Sequence, residues 1–134
     1  MKQILFTLIG IILLISCDSS DDPGNVLTSD IVGTWQLVAN LADPGDGSGT
    51  FQSVSSNKTI TFNSDGTFTS NGNVCDISIT TSAATNGTYN TMDSTINANC
   101  GTLNLPISYS IDNLTMDISY ICIEACESRY RKIN

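Results

Sequence analysis

The sequence has 134 residues, of which 13 are acidic, five are basic and none is histidine, so its formal net charge is −8. A surface with this excess of carboxylates repels nucleic acid and anionic lipid headgroups, so we expect no nucleic-acid partner. The absence of histidine and the scarcity of lysine and arginine remove most of the side chains used in acid–base catalysis and zinc binding.

Residues 1–16 have the pattern of a lipoprotein signal peptide. Lys2 precedes a mostly apolar run that is too short to span a membrane comfortably. The run ends in Leu14-Ile15-Ser16-Cys17, which resembles the lipobox of bacterial lipoproteins. This resemblance implies cleavage before Cys17, diacylation of its sulfur with chains such as palmitate, and acylation of the new amino terminus. Several acyl chains make an anchor that does not dissociate readily.

Residues 17–26 are predicted to form an acidic flexible tether between the lipid and the domain, because Asp18 to Asn25 contains no apolar residue. Two features of the tether favour different membranes. Ser20-Asp21-Asp22 resembles a surface-export signal of some Gram-negative lineages, whereas Asp18 beside the lipidated cysteine resembles an inner-membrane retention signal of enteric bacteria. We expect the outer membrane, with the periplasmic and the surface face both open.

The first strand of the domain follows a capping-type Thr28-Ser29-Asp30, which predicts about one helical turn. From Gly33 to Ala39 the chain alternates as a strand does, with Trp35, Leu37 and Ala39 on one face. Gly33 immediately ahead of the only tryptophan indicates a turn entering that strand.

The rest of the chain has the pattern of further short antiparallel strands. The clearest hairpin pairs residues 59–62 with 67–69 around a type I turn that has Gly66 in the left-handed conformation. Additional strands are predicted at 87–91, 94–98, 107–111, 114–120 and 128–133. Eight strands with one apolar face each must close to remove their edges. We therefore predict a single all-β domain over residues 27–134, an eight-stranded antiparallel up-and-down barrel.

Three motifs in this region resemble a known family. Gly33-Thr34-Trp35 looks like the Gly-x-Trp motif of lipocalins, and the hairpin at 60–68 and the terminal run at 129–132 resemble short lipocalin-like domains of bacterial surface lipoproteins. The resemblance covers roughly residues 30–133. It implies that Trp35 plugs the closed end of the barrel, where an arginine of the last strand lies across its ring. Arg131 is the candidate, with Arg129 as the alternative.

With Cys17 carrying lipid, four cysteines remain, and an even number in an exported domain predicts two disulfides. Tracing the strands up and down brings Cys75, Cys100, Cys122 and Cys126 to the open end. Cys122 and Cys126 could cross-link their own hairpin, leaving Cys75 to pair with Cys100. The other two pairings remain open.

The predicted interior allows two interpretations of function. In the first, the upper barrel holds a small hydrophobic ligand, with residues 41–56 as a lid. The candidate ligand-binding residues are then Leu37, Phe51, Ile60, Phe68, Tyr89, Ile107, Ile118 and Tyr120. In the second, bulky side chains fill the barrel and its surface binds an envelope protein or polysaccharide.

No catalytic motif is present, so we expect no enzymatic activity and no cofactor. The Asp- and Gly-rich stretch within 41–56 has the composition of a calcium loop but not the ligand order of an EF-hand. We therefore expect no metal either.

Overall fold

The computed structural model describes residues 30–101 and 106–134, and every regular element in these ranges is a β-strand. The strands are β1 (Gly33–Ala42), β2 (Gln52–Ser53), β3 (Thr59–Phe62), β4 (Thr67–Ser70), β5 (Thr85–Asn90), β6 (Thr95–Ala98), β7 (Ile107–Asp112), β8 (Thr115–Ser119) and β9 (Cys126–Lys132). Neighbouring strands pair antiparallel in chain order from β3 to β9, and β9 returns to β1. Since β2 and β3 pair with different halves of β1, they share one place in the sheet. The predicted closed eight-stranded barrel is confirmed.

The lipobox, the tether and most of the predicted helical turn lie outside the described residues. Residues 30–32 are described and contain no helix. There the Asp30 carboxylate accepts a hydrogen bond of 2.9 Å from the Val32 amide. In the described ranges no helix has the length and apolar character needed to cross a membrane.

The barrel closes where β1 pairs with β9, from Trp35 opposite Lys132 to Ala42 opposite Cys126. A bulge between Leu37 and Ala39 shifts the register. An extra residue in one strand moves the side chains that follow it to the opposite face of the sheet, relative to the partner strand. The predicted common face of Trp35, Leu37 and Ala39 is therefore interrupted by the bulge. Beyond it, Asn40 rather than Ala39 comes opposite the buried Ser128.

One apolar core fills the barrel between the two ends. Its members with at most 2% exposed surface are Ile31, Trp35, Leu37, Ile60, Phe62, Phe68, Val74, Ile96, Met116, Ile118 and Tyr130. The Phe62 ring meets Tyr89 edge-on at 5.2 Å between centroids. Burying one large apolar side chain stabilises the fold by about 1.5–3 kcal/mol. A side chain without accessible surface borders no space that admits water, so these residues are packed against protein.

Turn chemistry fixes the register of the β3–β4 hairpin as the sequence predicts. Gly66 has a φ of 85°, the left-handed region in which a side chain is strained. Its amide donates to the Asn63 carbonyl at 3.2 Å, and the Asn63 amide donates to the Thr67 carbonyl at 2.9 Å. The predicted left-handed glycine at this turn is confirmed.

Both disulfides lie at the end of the barrel opposite this turn. Cys75 is bonded to Cys100 and Cys122 to Cys126, with Cα–Cα distances of 5.5 and 6.1 Å. This is the first of the pairings considered from the sequence, and it confirms two disulfides at the open end. The longer link joins the β4–β5 connection to the β6–β7 connection, whereas the shorter one closes the β8–β9 hairpin.

Candidate functional site

The closed end of the barrel is organised around Trp35, which is fully buried. Its indole nitrogen donates to the Ile31 carbonyl at 2.8 Å. Gly33 has a φ of 129°, and a Cβ there would collide with the Asn134 carbonyl, so this position requires glycine. The cation over the Trp35 ring belongs to Lys132, whose ammonium nitrogen lies 5.3 Å from the ring centroid.

This finding corrects the predicted role of Arg131 and Arg129. Arg131 comes opposite Gln36 and is exposed. Both arginines lie on the outer face of β9, because Tyr130 between them points into the core. Lys132 shares the inner face of Tyr130 and is therefore the basic residue that reaches Trp35.

Arg129 instead contacts Asp117 and Phe51 on the outer face of the barrel. Its guanidinium donates two hydrogen bonds of 2.7 Å to the Asp117 carboxylate and lies 3.8 Å from the centroid of the Phe51 ring. Phe51, expected to line a ligand pocket, is therefore outside the barrel. Beside this pair is an open groove of about 220 Å³, lined by Ser110, Asp112, Thr115, Asp117 and Arg129.

The opposite end of the barrel is covered by residues 71–84, which connect β4 to β5 and which we call the mouth segment. Its Val74 is fully buried in the core. Three barrel side chains each donate a hydrogen bond of 2.7 Å to a different carbonyl of the segment: Asn40 to Ile77, Lys58 to Ser78 and Ser56 to Ile79. The Cys75–Cys100 disulfide holds the segment on another side. Asn71 at the start of the segment also bonds to Thr59 and Asn57, so the mouth segment is fastened by scattered hydrogen bonds and a disulfide rather than by strand pairing.

Residues 41–56, expected to act as a lid, contain the end of β1, the short β2 and, between them, a loop held by Asp43. The Asp43 carboxylate accepts hydrogen bonds from the amides of Gly49 (2.7 Å), Gly45 (2.7 Å) and Gly47 (3.1 Å). These bonds, led by the one from Gly49, lower the pKa of Asp43. The composition that suggested a calcium loop is explained by this internal capping. Among the described residues, no group of three or more Cys, Asp or Glu side chains is placed to hold a metal ion.

Directly beneath the mouth segment lie Lys58, Tyr120 and Tyr130, which we call the donor layer. Lys58 and Tyr130 flank Leu37 at one level, because the Leu37 amide bonds to the Lys58 carbonyl while Tyr130 comes opposite Leu37 on β9. Tyr120 lies nearer the mouth, beside Tyr130 and Ser128. The Tyr120 hydroxyl lies next to the hydroxyls of Tyr130 and Ser128, and in the described structure neither tyrosine hydroxyl makes a hydrogen bond of good geometry.

Burial dominates the ionisation of the donor layer. It lowers the pKa of Lys58 to about 8, against an opposing attraction from Asp76 of the mouth segment. It raises the pKa of Tyr120 to about 12 and that of Tyr130 well above 10. Near neutral pH the layer therefore carries one ammonium and two protonated phenols. All of these groups donate hydrogen bonds.

The remaining candidate ligand residues fall into two groups. Five belong to the packed core, namely Leu37, Ile60, Phe68, Ile107 and Ile118. Tyr89 reaches the closed end, where its hydroxyl donates to the Asn63 carbonyl at 2.6 Å. Tyr120, by contrast, places its polar end beneath the mouth segment. Sequence reasoning missed Lys58, although it lies two and four residues before the inward Ile60 and Phe62.

Comparison with protein families matches residues 31–130 to the model described as a lipocalin-like domain. Because this match covers most of the chain and the closed barrel agrees with it, the chain belongs to the lipocalin-like domain family. Comparison with curated proteins and with solved structures finds no match.

Proposed function

We propose that this chain is a lipid-anchored lipocalin-like protein of the cell envelope that binds a small apolar ligand at the open end of its barrel. Cys17 would hold it at the outer membrane. The observation that carries the proposal is the construction of the mouth. A single segment without strand pairing covers the barrel, and three side chain-to-carbonyl hydrogen bonds hold its residues 77–79 over the buried hydroxyls of Tyr120 and Tyr130.

Such a mouth can open without breaking the barrel. The strands pair with each other around the whole circumference, whereas residues 71–84 contribute no strand. Side chain-to-backbone hydrogen bonds contribute about 0.5–1.5 kcal/mol each, so releasing residues 77–79, while Val74 and the Cys75–Cys100 disulfide stay in place, costs far less than separating β1 from β9. Ligand entry therefore requires movement of the mouth segment, since the core residues beneath it leave no room for water.

Native mass spectrometry of the full chain, released from a non-ionic detergent, tests the proposal. The neutral apolar probe N-phenyl-1-naphthylamine should give one adduct per chain. Ser56→Ala, which removes one fastening of the mouth segment, should speed probe uptake, while Ser64→Ala in the β3–β4 turn should leave it unchanged. Failure of both the native chain and Ser56→Ala to take up probe would contradict the proposal.

A second function has its own supporting observation. At the tip of the β8–β9 hairpin, Ile123 is 100% exposed and Ile121 is 67% exposed, beside the Cys122–Cys126 disulfide. A filled barrel that presents this rigid apolar tip to another envelope protein is the alternative role. Ile123→Ser should then weaken recovery of the partner after cross-linking in intact cells and leave probe uptake unchanged.

A further inference from the structure

The open groove on the outer wall of the barrel has a floor that the sheet itself builds. Ser110 of β7, Asp117 of β8 and Arg129 of β9 are register partners, so they form one row across three strands. Asp112 and Thr115 form the next row, toward the β7–β8 turn. The groove measures about 220 Å³, less than the roughly 300–1,000 Å³ of a pocket for a drug-sized ligand. It therefore fits a small ligand or one unit of a longer chain.

The Arg129 guanidinium in this groove is held in place by two neighbours. Its Nε and Nη2 atoms donate hydrogen bonds of 2.7 Å to the two carboxylate oxygens of Asp117, and it lies 3.8 Å from the centroid of the Phe51 ring. The bonds to Asp117 use two of the five guanidinium N–H donors, and each carboxylate oxygen can accept a further bond. Because 38% of the Arg129 side chain and 23% of the Asp117 side chain are exposed, both can contact a ligand without rearrangement.

The lining of the groove is polar and has no excess charge to attract an ion. Asp117 and Arg129 neutralise each other, and Arg131, which comes opposite Thr115, offsets Asp112. All five lining side chains are polar, so a hydrocarbon chain would gain nothing from entering. The net charge of −8 over the whole chain disfavours anionic ligands. The ligand that suits this groove is therefore neutral and rich in groups that both donate and accept hydrogen bonds.

We propose that this groove binds one sugar ring of a neutral glycan, at a site separate from the mouth of the barrel. A sugar hydroxyl both donates and accepts hydrogen bonds. Neighbouring hydroxyls of one ring can therefore donate to the carboxylates of Asp112 and Asp117 and accept from the planar N–H fork of Arg129. The hydroxyls of Ser110 and Thr115 add groups of both kinds. Because the groove is open to solvent, the rest of a longer glycan can continue beyond it.

Nuclear magnetic resonance of the full chain, in a detergent without a sugar head group, tests the proposal. Maltohexaose, cellohexaose and mannohexaose are neutral chains that differ in linkage or in one hydroxyl. Each is titrated to about 10 mM, since a few exposed hydrogen bonds give millimolar affinity. We expect at least one to shift the amide signals of Ser110, Thr115 and Arg129 and to leave those of residues 71–84 unchanged. Shifts centred on residues 71–84, or no shift with any of the three, would overturn the groove site and leave probe uptake at the mouth unaffected.

Hexagalacturonate tests the charge of the ligand. Each of its rings carries a carboxylate, which the net charge of the chain repels, so it should bind more weakly than the best neutral glycan. Binding as tight as that of the best neutral glycan, or tighter, would mean that Arg129 and Arg131 form an anion site, and the neutral glycan would be the wrong ligand class.

Two variants assign the binding to the groove. Ser110→Ala and Thr115→Val each remove one hydroxyl that lines it, and each should weaken glycan binding about threefold to tenfold. Ser108→Ala, on the same strand and face as Ser110 but outside the groove, and Thr69→Val, exposed on β4, are the matched controls and should leave binding unchanged. Circular dichroism checks that all four variants are folded. Native affinity in both groove variants would show that the glycan binds elsewhere.

Discussion

Lys132 and Trp35 join the last strand of the barrel to the first. The Lys132 ammonium lies 5.3 Å from the centroid of the Trp35 ring and donates a hydrogen bond of 2.8 Å to the Asp30 carbonyl. Trp35 in turn donates to the Ile31 carbonyl. The residues that enter β1 are thereby fixed against the end of β9. This contact adds to the backbone hydrogen bonds between Thr34 and residues 133–134, which also join the two strands at the closed end.

Substitutions at the closed end should distinguish the contribution of Trp35 to stability from that of Lys132. Trp35→Ala should lower the free energy of unfolding by about 3–5 kcal/mol, because it empties a fully buried position. Lys132→Ala should cost about 0.5–1 kcal/mol through the lost cation–π contact and side-chain packing. Arg131→Ala, on the exposed outer face, should cost less than about 0.5 kcal/mol. Urea unfolding followed by circular dichroism measures all three. A larger loss for Arg131→Ala than for Lys132→Ala would contradict the observed arrangement.

Removing the side-chain hydroxyl should have different effects on the free energy of unfolding at Tyr130 and at Tyr89. Tyr130→Phe removes a buried hydroxyl that lies beside the Tyr120 hydroxyl without a hydrogen bond of good geometry, so we expect stability to stay unchanged or rise by about 1–3 kcal/mol. Tyr89→Phe removes a hydroxyl bonded to the Asn63 carbonyl at 2.6 Å and should cost about 0.5–1.5 kcal/mol. Urea unfolding of the two variants side by side provides the measurement. Destabilisation by Tyr130→Phe as large as that by Tyr89→Phe would mean that the Tyr130 hydroxyl has a partner.

Alternation and turn residues were enough to predict the barrel and the clearest turn, and the resemblance of Gly33-Thr34-Trp35 to the lipocalin motif added the closed end. Alternation could not place the bulge after Leu37, since Val38, Ala39, Leu41 and Ala42 put apolar residues on both faces and an inserted residue there leaves no periodic signal. The cation over Trp35 could have been found from the sequence. An inward Tyr130 requires Lys132 on the same face and both neighbouring arginines outside.

The mouth was less predictable. Residues 71–84 form bends without periodicity, and the bonds that hold them come from Asn40, Ser56 and Lys58, which are distant in sequence. Lys58 has the same alternation as Ile60 and Phe62, but a charged residue at an inward position is normally assigned to the rim. Its burial follows from the mouth segment folding over it, which is a tertiary effect.

Membrane attachment should depend on Cys17. The lipobox pattern predicts that this cysteine carries the acyl chains, so Cys17→Ser should release the protein from the outer-membrane fraction. Fractionation of the cell envelope, followed by detection of the protein in each fraction, is the measurement. Cys122→Ser, which removes a different cysteine, serves as the control and should leave the distribution unchanged. A Cys17→Ser protein found wholly in the outer membrane would rule out the lipid anchor.

The two disulfides should contribute unequally to stability. Cys75 and Cys100 are 25 residues apart, whereas Cys122 and Cys126 are four apart. In the chain-entropy model, closing the longer loop stabilises the fold by about 3.5 kcal/mol and the shorter by about 2 kcal/mol. Replacing both cysteines of one pair by serine, followed by urea unfolding, measures each contribution. A larger loss for the Cys122–Cys126 pair would argue against the entropic account. Loss of the Cys75–Cys100 pair should also speed hydrogen exchange in residues 71–84.

The final prediction concerns the buried charge of Lys58. Its pKa is about 8 in the folded protein and 10.5 when unperturbed. Below pH 8 both states hold the proton, so the folded protein bears the full cost of burying the ammonium. Between these two pKa values the unfolded chain binds more protons, and stability must rise with pH. The slope can approach about 1.4 kcal/mol per pH unit, the value for one proton. Asp76, Tyr120 and Tyr130 face the same region, and the raised pKa values of the tyrosines lower stability only above about pH 10.

Urea unfolding between about pH 7.5 and pH 9.5 therefore isolates Lys58 from the tyrosines. The native chain should gain stability across this interval, and Lys58→Met should remain flat because it has no proton to lose. Lys132→Met, which removes a partly exposed lysine at the other end of the barrel, is the matched control and should follow the native chain. Parallel curves for the native chain and Lys58→Met would mean that Lys58 titrates at its ordinary pKa and is not held as a buried cation beneath the mouth segment.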